Sequence, residues 1–241
     1  MKIANRVRLL TKLLQNAREL SFAESTGVRQ QQADGVLTKQ NFQFQILNSE
    51  KESANIFKST FLKDFLLFED FVTEDEEKCL LEDSKKPLAR LKYEYDHWDG
   101  VICGYRELEK SSWGPESTNV LKRIQETVFD EKSVMLPAVH VLDLSSDGYI
   151  KPHVDSKFCG RRIAGLSLLS PAIMRLKPSD VTEQHAFVDV LLKPRSLYIM
   201  RDFARYELTH EILADKESYL GKRKFNRERR ISIVLREEPP S

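Results

Sequence analysis

A chain of 241 residues, 41% hydrophobic and 31% charged, is long enough to bury one substantial core. Its 38 basic and 37 acidic side chains leave a formal charge of +1, so no global field marks it as a nucleic-acid binder. Cys79, Cys103 and Cys159 are widely spaced with no CxxC pair, which argues against a disulfide framework or a zinc ribbon and fits a reducing compartment, and no apolar run approaches the length needed to span a bilayer.

The first eighteen residues carry Lys2, Arg6, Arg8, Lys12 and Arg18 and no acid, while Ile3, Val7, Leu10, Leu14 and Ala17 recur at helical spacing. A basic, acid-poor, amphipathic leader is the pattern of a mitochondrial presequence, assigned to residues 1–24. A surface helix docked on the domain is the alternative. Residues 25–59 are rich in Gln, Ser, Asn and Thr and read as a linker, partly disordered.

Residues 60–136 read as N-terminal helices and lid strands. Thr73-Glu74-Asp75-Glu76 supplies an N-cap and first-turn acids for a helix expected to end near Lys85-Lys86-Pro87. Residues 93–105 read as strand, turn and strand. Residues 118–129 carry Val120, Leu121, Ile124 and Val128 at helical spacing.

Residues 137–238 change to short strands between turn signals. Strands are expected at 138–144 and 149–155 around a turn at 145–148, then at 163–169, 173–176, 187–192, 197–200, 208–213 and 231–235. The run at 163–169 is nearly all apolar, as in a strand buried on both faces. Lys193-Pro194-Arg195-Ser196 sits where a hairpin turn is expected. So many strands without helical crossovers indicate a mainly β, double-layered jelly roll with flanking helices.

Chemistry concentrates in His153-Val154-Asp155 and His210. Two imidazoles and a carboxylate are the donor set that holds Fe(II) on one face and leaves other positions open. Alternation along a strand lets His153 and Asp155 face the same way, with a distant strand closing the triad. In Arg230-Ile231-Ser232-Ile233-Val234-Leu235-Arg236, the apolar Ile231, Ile233 and Leu235 share one face and Arg230, Ser232, Val234 and Arg236 the other. If the first face packs on a core, the second puts two guanidinium groups in the lumen, where a buried cation calls for an anion. Two arginines suit a small dicarboxylate such as 2-oxoglutarate. An edge strand with both arginines solvated is the alternative. Arg161, Arg162, Lys222, Arg223, Lys224, Arg227 and Arg229 read as solvated loop charges, and His97, His140 and His185 receive no chemistry.

His153-x-Asp155, His210 and Arg230-x5-Arg236, in this order, resemble the AlkB-like Fe(II)/2-oxoglutarate dioxygenases, over roughly residues 61–239. Gly148-Tyr149-Ile150-Lys151-Pro152-His153, Ile163-Ala164-Gly165-Leu166-Ser167-Leu168-Leu169-Ser170-Pro171 and Ser196-Leu197-Tyr198-Ile199 are similar to stretches of the family's mitochondrial branch. The resemblance implies a double-stranded β-helix in which His153, Asp155 and His210 ligate iron. It implies that Tyr198 and Arg230 hold the distal carboxylate of 2-oxoglutarate, that Arg236 lies near the metal-bound end, and that Ser232 lines the pocket between. It also implies O2 as co-substrate and a place in the mitochondrial matrix. A protein substrate is expected, with roles in fatty-acid metabolism and alkylation-induced necrosis; demethylation of mitochondrial RNA is the alternative, kept open by the basic residues between Lys222 and Arg230. The acidic stretch Tyr93-Glu94-Tyr95-Asp96-His97-Trp98-Asp99 would repel phosphates, which argues against duplex DNA. A non-catalytic cupin-like binding module is a different class on the same shell. A zinc hydrolase is disfavoured because no general base stands beside the triad.

Overall fold

A computed structural model describes residues 41–46, 51–96, 99–180 and 186–239. The leader assigned to residues 1–24 lies outside the described residues, as do His97 and His185. The first elements are β1 (Phe42–Ile46), α1 (Lys51–Asp64), β2 (Phe65–Phe68), α2 (Glu74–Ala89), β3 (Ile102–Lys110) and α3 (Pro115–Val128). They are followed by β4 (Val139–His153), β5 (Arg162–Leu168), β6 (Ala172–Pro178), β7 (Ala186–Leu192) and β8 (Ser196–Arg201). The chain closes with α4 (Asp202–Tyr206), β9 (Leu208–Ile212), β10 (Tyr219–Leu220), β11 (Arg223–Lys224) and β12 (Arg230–Arg236).

Strands pair in the order β1-β7-β6-β9-β4-β12-β5-β8-β2, with β3 also against β4. All of these pairings are antiparallel. The long strand β4 joins the two halves: residues 140–144 pair with β12, and Ile150 and His153 pair with β9. The sheet therefore curls into the expected jelly roll.

Alternation along the strands builds one core on each side of the larger half. Inside the roll, Leu142, Leu144, Ile163, Tyr198, Met200 and Val234 pack with Met174, Leu176, Val188, Val190 and Ile212 of the other half. Outside, Ile231, Ile233 and Leu235 join Ala164, Leu166, Leu168, Leu197 and Ile199 beneath Leu80, Leu88, Val120, Leu121 and Ile124 of the helices. β5 is thus buried on both faces, as its apolar run predicts.

Four expectations change. Residues 42–46 and 51–59 of the segment read as linker are β1 and most of α1, which runs on to Asp64. The Phe-Gln-Phe-Gln-Ile alternation of β1 turns Phe42 and Phe44 onto Phe61, at ring distances of 6.1 and 5.6 Å, so apolar burial overrides a polar composition. Thr73 caps α2 as predicted, in a capping box with Glu76, but the helix runs through Pro87 to Ala89. Proline near a helix end forfeits one hydrogen bond, and the burial of Leu88 behind it offsets that loss.

The third change concerns residues 145–148, which bend without reversing, so that 139–153 is one strand rather than a hairpin. Gly104, at φ +66°, and Gly148 allow β3 and β4 to touch at this irregularity: a Cβ on Gly148 would lie 2.3 Å from the Gly104 carbonyl oxygen. The Ser-Asp-Gly turn signal marks a strand crossing from one half of the sheet to the other. The first arm of the expected lid hairpin is reduced to a single bridge, Glu94 to Tyr105.

Candidate metal centre and anion pocket

His153 ends β4 directly opposite His210 of β9, with ring centroids 4.2 Å apart. Asp155 follows just past the strand end. Its Oδ1 lies 3.2 Å from His153 Nε2 and 3.8 Å from His210 Nε2, and one donor atom from each residue falls within 4.8 Å of the others. His153 Nδ1 meets the Lys151 carbonyl at 3.0 Å, which leaves Nε2 toward the other two donors. The triad expected from the sequence is assembled.

Its electrostatics suit a cation. Burial opposes charge on Asp155, but His210 and His153 outweigh it and hold the carboxyl well below the usual range. Burial pushes His210 down to about 4, so at neutral pH it offers an uncharged lone pair. Burial also opposes the charge on His153, yet the hydrogen bond and charge of Asp155 prevail and raise it. One anion and two nitrogen donors converging on one point fit a divalent transition ion.

β12 supplies the second part of the site. Arg230 is 1% exposed, and its Nε donates to Ser167 Oγ at 3.1 Å. The Tyr198 hydroxyl also hydrogen-bonds the guanidinium. Arg230 Nη2 is buried without a partner, and so is Nε of the half-buried Arg236. Burial pushes the Arg230 pKa down, since only Tyr198 opposes the desolvation. Arg236 acts on the charges of Asp155 and His210, so it lies at the triad end of the lumen. Ser232 is buried on the same face of β12 as Val234, which belongs to the inner core. The solvated-edge alternative is excluded for Arg230. An anionic ligand would complete the unpaired donors of both arginines.

Tyr198 reaches this pocket because Gly165 lies opposite it in β5. A Cβ at position 165 would stand 2.2 Å from Tyr198 Cζ. Phe65 stacks on the other side of the ring at 6.2 Å, and Phe61 stacks on Phe65 at 5.1 Å. Gly165→Ala is therefore expected to destabilise the fold by about 1–3 kcal/mol in urea denaturation, since the tyrosine has no room to retreat. Wild-type stability in that variant would overturn this packing.

Several charges behave differently from the sequence expectation. Arg162 caps the Val128 carbonyl at 3.0 Å and pairs with Asp130. Arg229 pairs with the fully buried Asp143 at 2.8 Å. Arg227 is 3% exposed, and burial followed by the nearby Arg230 pushes it down to about 10. Arg227 and Arg230 are buried and Arg229 is neutralised by Asp143, so of residues 222–230 only Lys222, Arg223 and Lys224 keep their charge at the surface without a buried partner. Arg205, which sequence reading passed over, is 2% exposed and donates to the carbonyls of Asp155 and Ser156 at 3.0 and 2.6 Å. His140 pairs with Glu109 and Glu107. In the acidic lid, Tyr93 bonds Asp143 and lies under Arg106, while Tyr95 is exposed. Asp99 is close enough to His153 to act on its charge.

A jelly roll with this triad at its mouth and buried arginines within has the architecture of the 2-oxoglutarate oxygenases. Solved structures share the fold: OsALKBH1 at TM-score 0.51 and 14% identity, covering 72% of this chain and 97% of that one. A Pseudomonas putida prolyl-4-hydroxylase does so at TM-score 0.52 and 12% identity, covering 76% and 97%. No family model matches the chain. Among curated proteins, the mitochondrial alpha-ketoglutarate-dependent dioxygenase alkB homolog 7 of Bos taurus is 51% identical over 170 residues, 70% of this chain and 76% of its own length. The Mus musculus protein of that name is 49% identical over the same shares. The uncharacterized protein L905 of Acanthamoeba polyphaga mimivirus is 31% identical over 185 residues, 73% of this chain and 85% of its own length. The chain belongs to the alkB homolog 7 family of alpha-ketoglutarate-dependent dioxygenases.

Proposed function

We propose that this family member is an Fe(II)- and 2-oxoglutarate-dependent dioxygenase that hydroxylates a polypeptide in the mitochondrial matrix. The observation that carries the reaction class is the buried Arg230, in the same lumen as the triad, with unfilled N–H donors and no carboxylate partner among the described residues. A binding module on the same shell has no use for that buried cation. His153, Asp155 and His210 would hold the iron. Bound there with 2-oxoglutarate and O2, iron supplies oxidation: one oxygen atom goes into succinate as carbon dioxide leaves, and the other into a substrate C–H bond.

The chain's own residues do the rest. Arg230 and Tyr198 hold the distal carboxylate of 2-oxoglutarate, Ser232 lines its path, and Arg236 neutralises charge at the triad end. Asp155 contributes the single anion of the donor set. The apolar inner core excludes water from the pocket. Residues 1–24 would act as the presequence, in keeping with relatives named as mitochondrial. Roles in fatty-acid metabolism and alkylation-induced necrosis are part of the same proposal and rest on the sequence resemblance alone.

A polypeptide is favoured over RNA by the charge of the mouth. Asp99 acts on the charge of His153, Glu94 and Asp96 are exposed in the same segment, and the basic cluster at residues 222–230 is weakened, with Arg227 and Arg230 buried, Arg229 paired with Asp143 and Lys224 with Asp215. The test is succinate release from 2-oxoglutarate with Fe(II) and oxygen. Peptide digests of mitochondrial protein are expected to stimulate it, and methylated transfer RNA is not. Stimulation by RNA alone would overturn the substrate class. No succinate from the iron-loaded wild type would overturn the reaction class and favour the binding module.

A further inference from the structure

The β4 to β9 pairing ends at His153 and His210, so no strand ladder fixes Asp155. Something else must hold a ligand that lies beyond the sheet. Resting on the reading of the triad as a metal site, we propose that Arg205 is a positioning residue that clamps the backbone of the Asp155 loop to the segment leading into His210. Its guanidinium fork reaches two successive carbonyl oxygens, Asp155 O from Nη1 at 3.0 Å and Ser156 O from Nη2 at 2.6 Å. Gripping both fixes the peptide plane that follows Asp155, and with it the direction of the Asp155 side chain.

The choice of partner matters. A cation on the Asp155 carboxylate would compete with the metal, whereas a cation on the neighbouring carbonyls leaves both carboxylate oxygens free. Arg205 lies in α4 and only five residues before His210, so one side chain ties together ligands that come from distant parts of the sequence. Its charge is answered by carbonyl dipoles, with the Tyr206 ring 4.9 Å from the guanidinium carbon and Nε unpartnered. An arrangement so poor for stability alone fits a residue kept for geometry. The loop beyond is tied in turn: Cys159 N–H donates to Ser156 O at 3.1 Å, and Gly160 N–H to Glu237 O at 2.7 Å.

The test is titration of the full chain with Mn(II), free ion being followed by its paramagnetic resonance. Arg205→Met is expected to raise the Mn(II) dissociation constant about ten- to a hundredfold, and to speed amide exchange at Cys159 and Gly160 in the metal-free protein. Arg205→Lys, a point charge that grips one carbonyl, should fall between it and the wild type. A purely structural arginine would shift the urea midpoint and leave the Mn(II) constant unchanged, and that result overturns the proposal. Should Arg205→Met fail to fold, a wild-type Mn(II) constant in Arg205→Lys overturns it equally. Wild-type protein that binds no Mn(II) would instead overturn the triad reading, and this proposal with it.

Discussion

Arg230→Met is expected to make the co-substrate-free protein more stable and, at the same time, nearly unable to use 2-oxoglutarate. The two effects have one cause. Arg230 is 1% exposed and has an unpartnered Nη2, so the empty protein carries a desolvated cation that no anion answers. Exchanging a buried charge for an apolar side chain of similar volume is commonly neutral or stabilising by about 1–4 kcal/mol. Losing the bonds to Ser167 Oγ and to the Tyr198 hydroxyl takes back roughly 1 kcal/mol each of that gain. A carboxylate in the pocket reverses the balance, because each charge-assisted hydrogen bond is worth about 1.5–3 kcal/mol. Two such bonds correspond to at least a hundredfold, on the order of 3 kcal/mol, in the 2-oxoglutarate concentration that half-saturates succinate release. Urea denaturation without co-substrate and a co-substrate titration measure the pair. A variant that is less stable when empty and binds 2-oxoglutarate normally would reduce Arg230 to a structural residue.

The same strand explains why so much of the site could be read in advance. Period-two alternation assigns Ile231, Ile233 and Leu235 to one face and Arg230, Ser232 and Val234 to the other, and both faces find cores. His153 and His210 carry their own chemical identity, and the strand register brings them together. What could not be read depends on contacts far apart in sequence. Nothing local distinguishes Arg205 or Arg227 from a solvated arginine, since their partners lie about fifty and eighty residues away. Gly165 looks like an ordinary strand glycine until the Tyr198 ring occupies the missing Cβ. The bend at residues 145–148 carries true turn signals whose meaning changes because Gly104 of β3 lies against it. In β1 a clear alternation of Phe42, Phe44 and Ile46 was legible, but the polar residues around it outweighed the pattern.

Asp155→Ala should remove metal binding more completely than any change around the site, and should alter its pH dependence in a defined direction. Structural zinc sites with four ligands bind with about 10–16 kcal/mol, so one ligand is worth roughly 3 kcal/mol, a hundredfold or more in affinity. In the metal-free chain the depressed pKa of Asp155 contributes stability above the ordinary carboxylate range, and this is lost as pH falls through the folded value. His153 is raised from its ordinary 6.5 by Asp155, so its contribution is full below that value and is lost as pH climbs through the folded pKa. A metal must displace that proton. Wild-type affinity should therefore rise with pH, by up to about tenfold per unit while His153 stays protonated, and level off above its raised pKa. Without the carboxylate, burial, the largest influence on His153, pushes it down against only the Lys151 carbonyl and Asp99, so the weak binding left in Asp155→Ala should level off at lower pH than in the wild type. Mn(II) titrations across the range bracketing 6.5 decide it. A variant that levels off at the wild-type pH would mean that Asp155 does not govern His153, and the pairing at 3.2 Å would lose its electrostatic role.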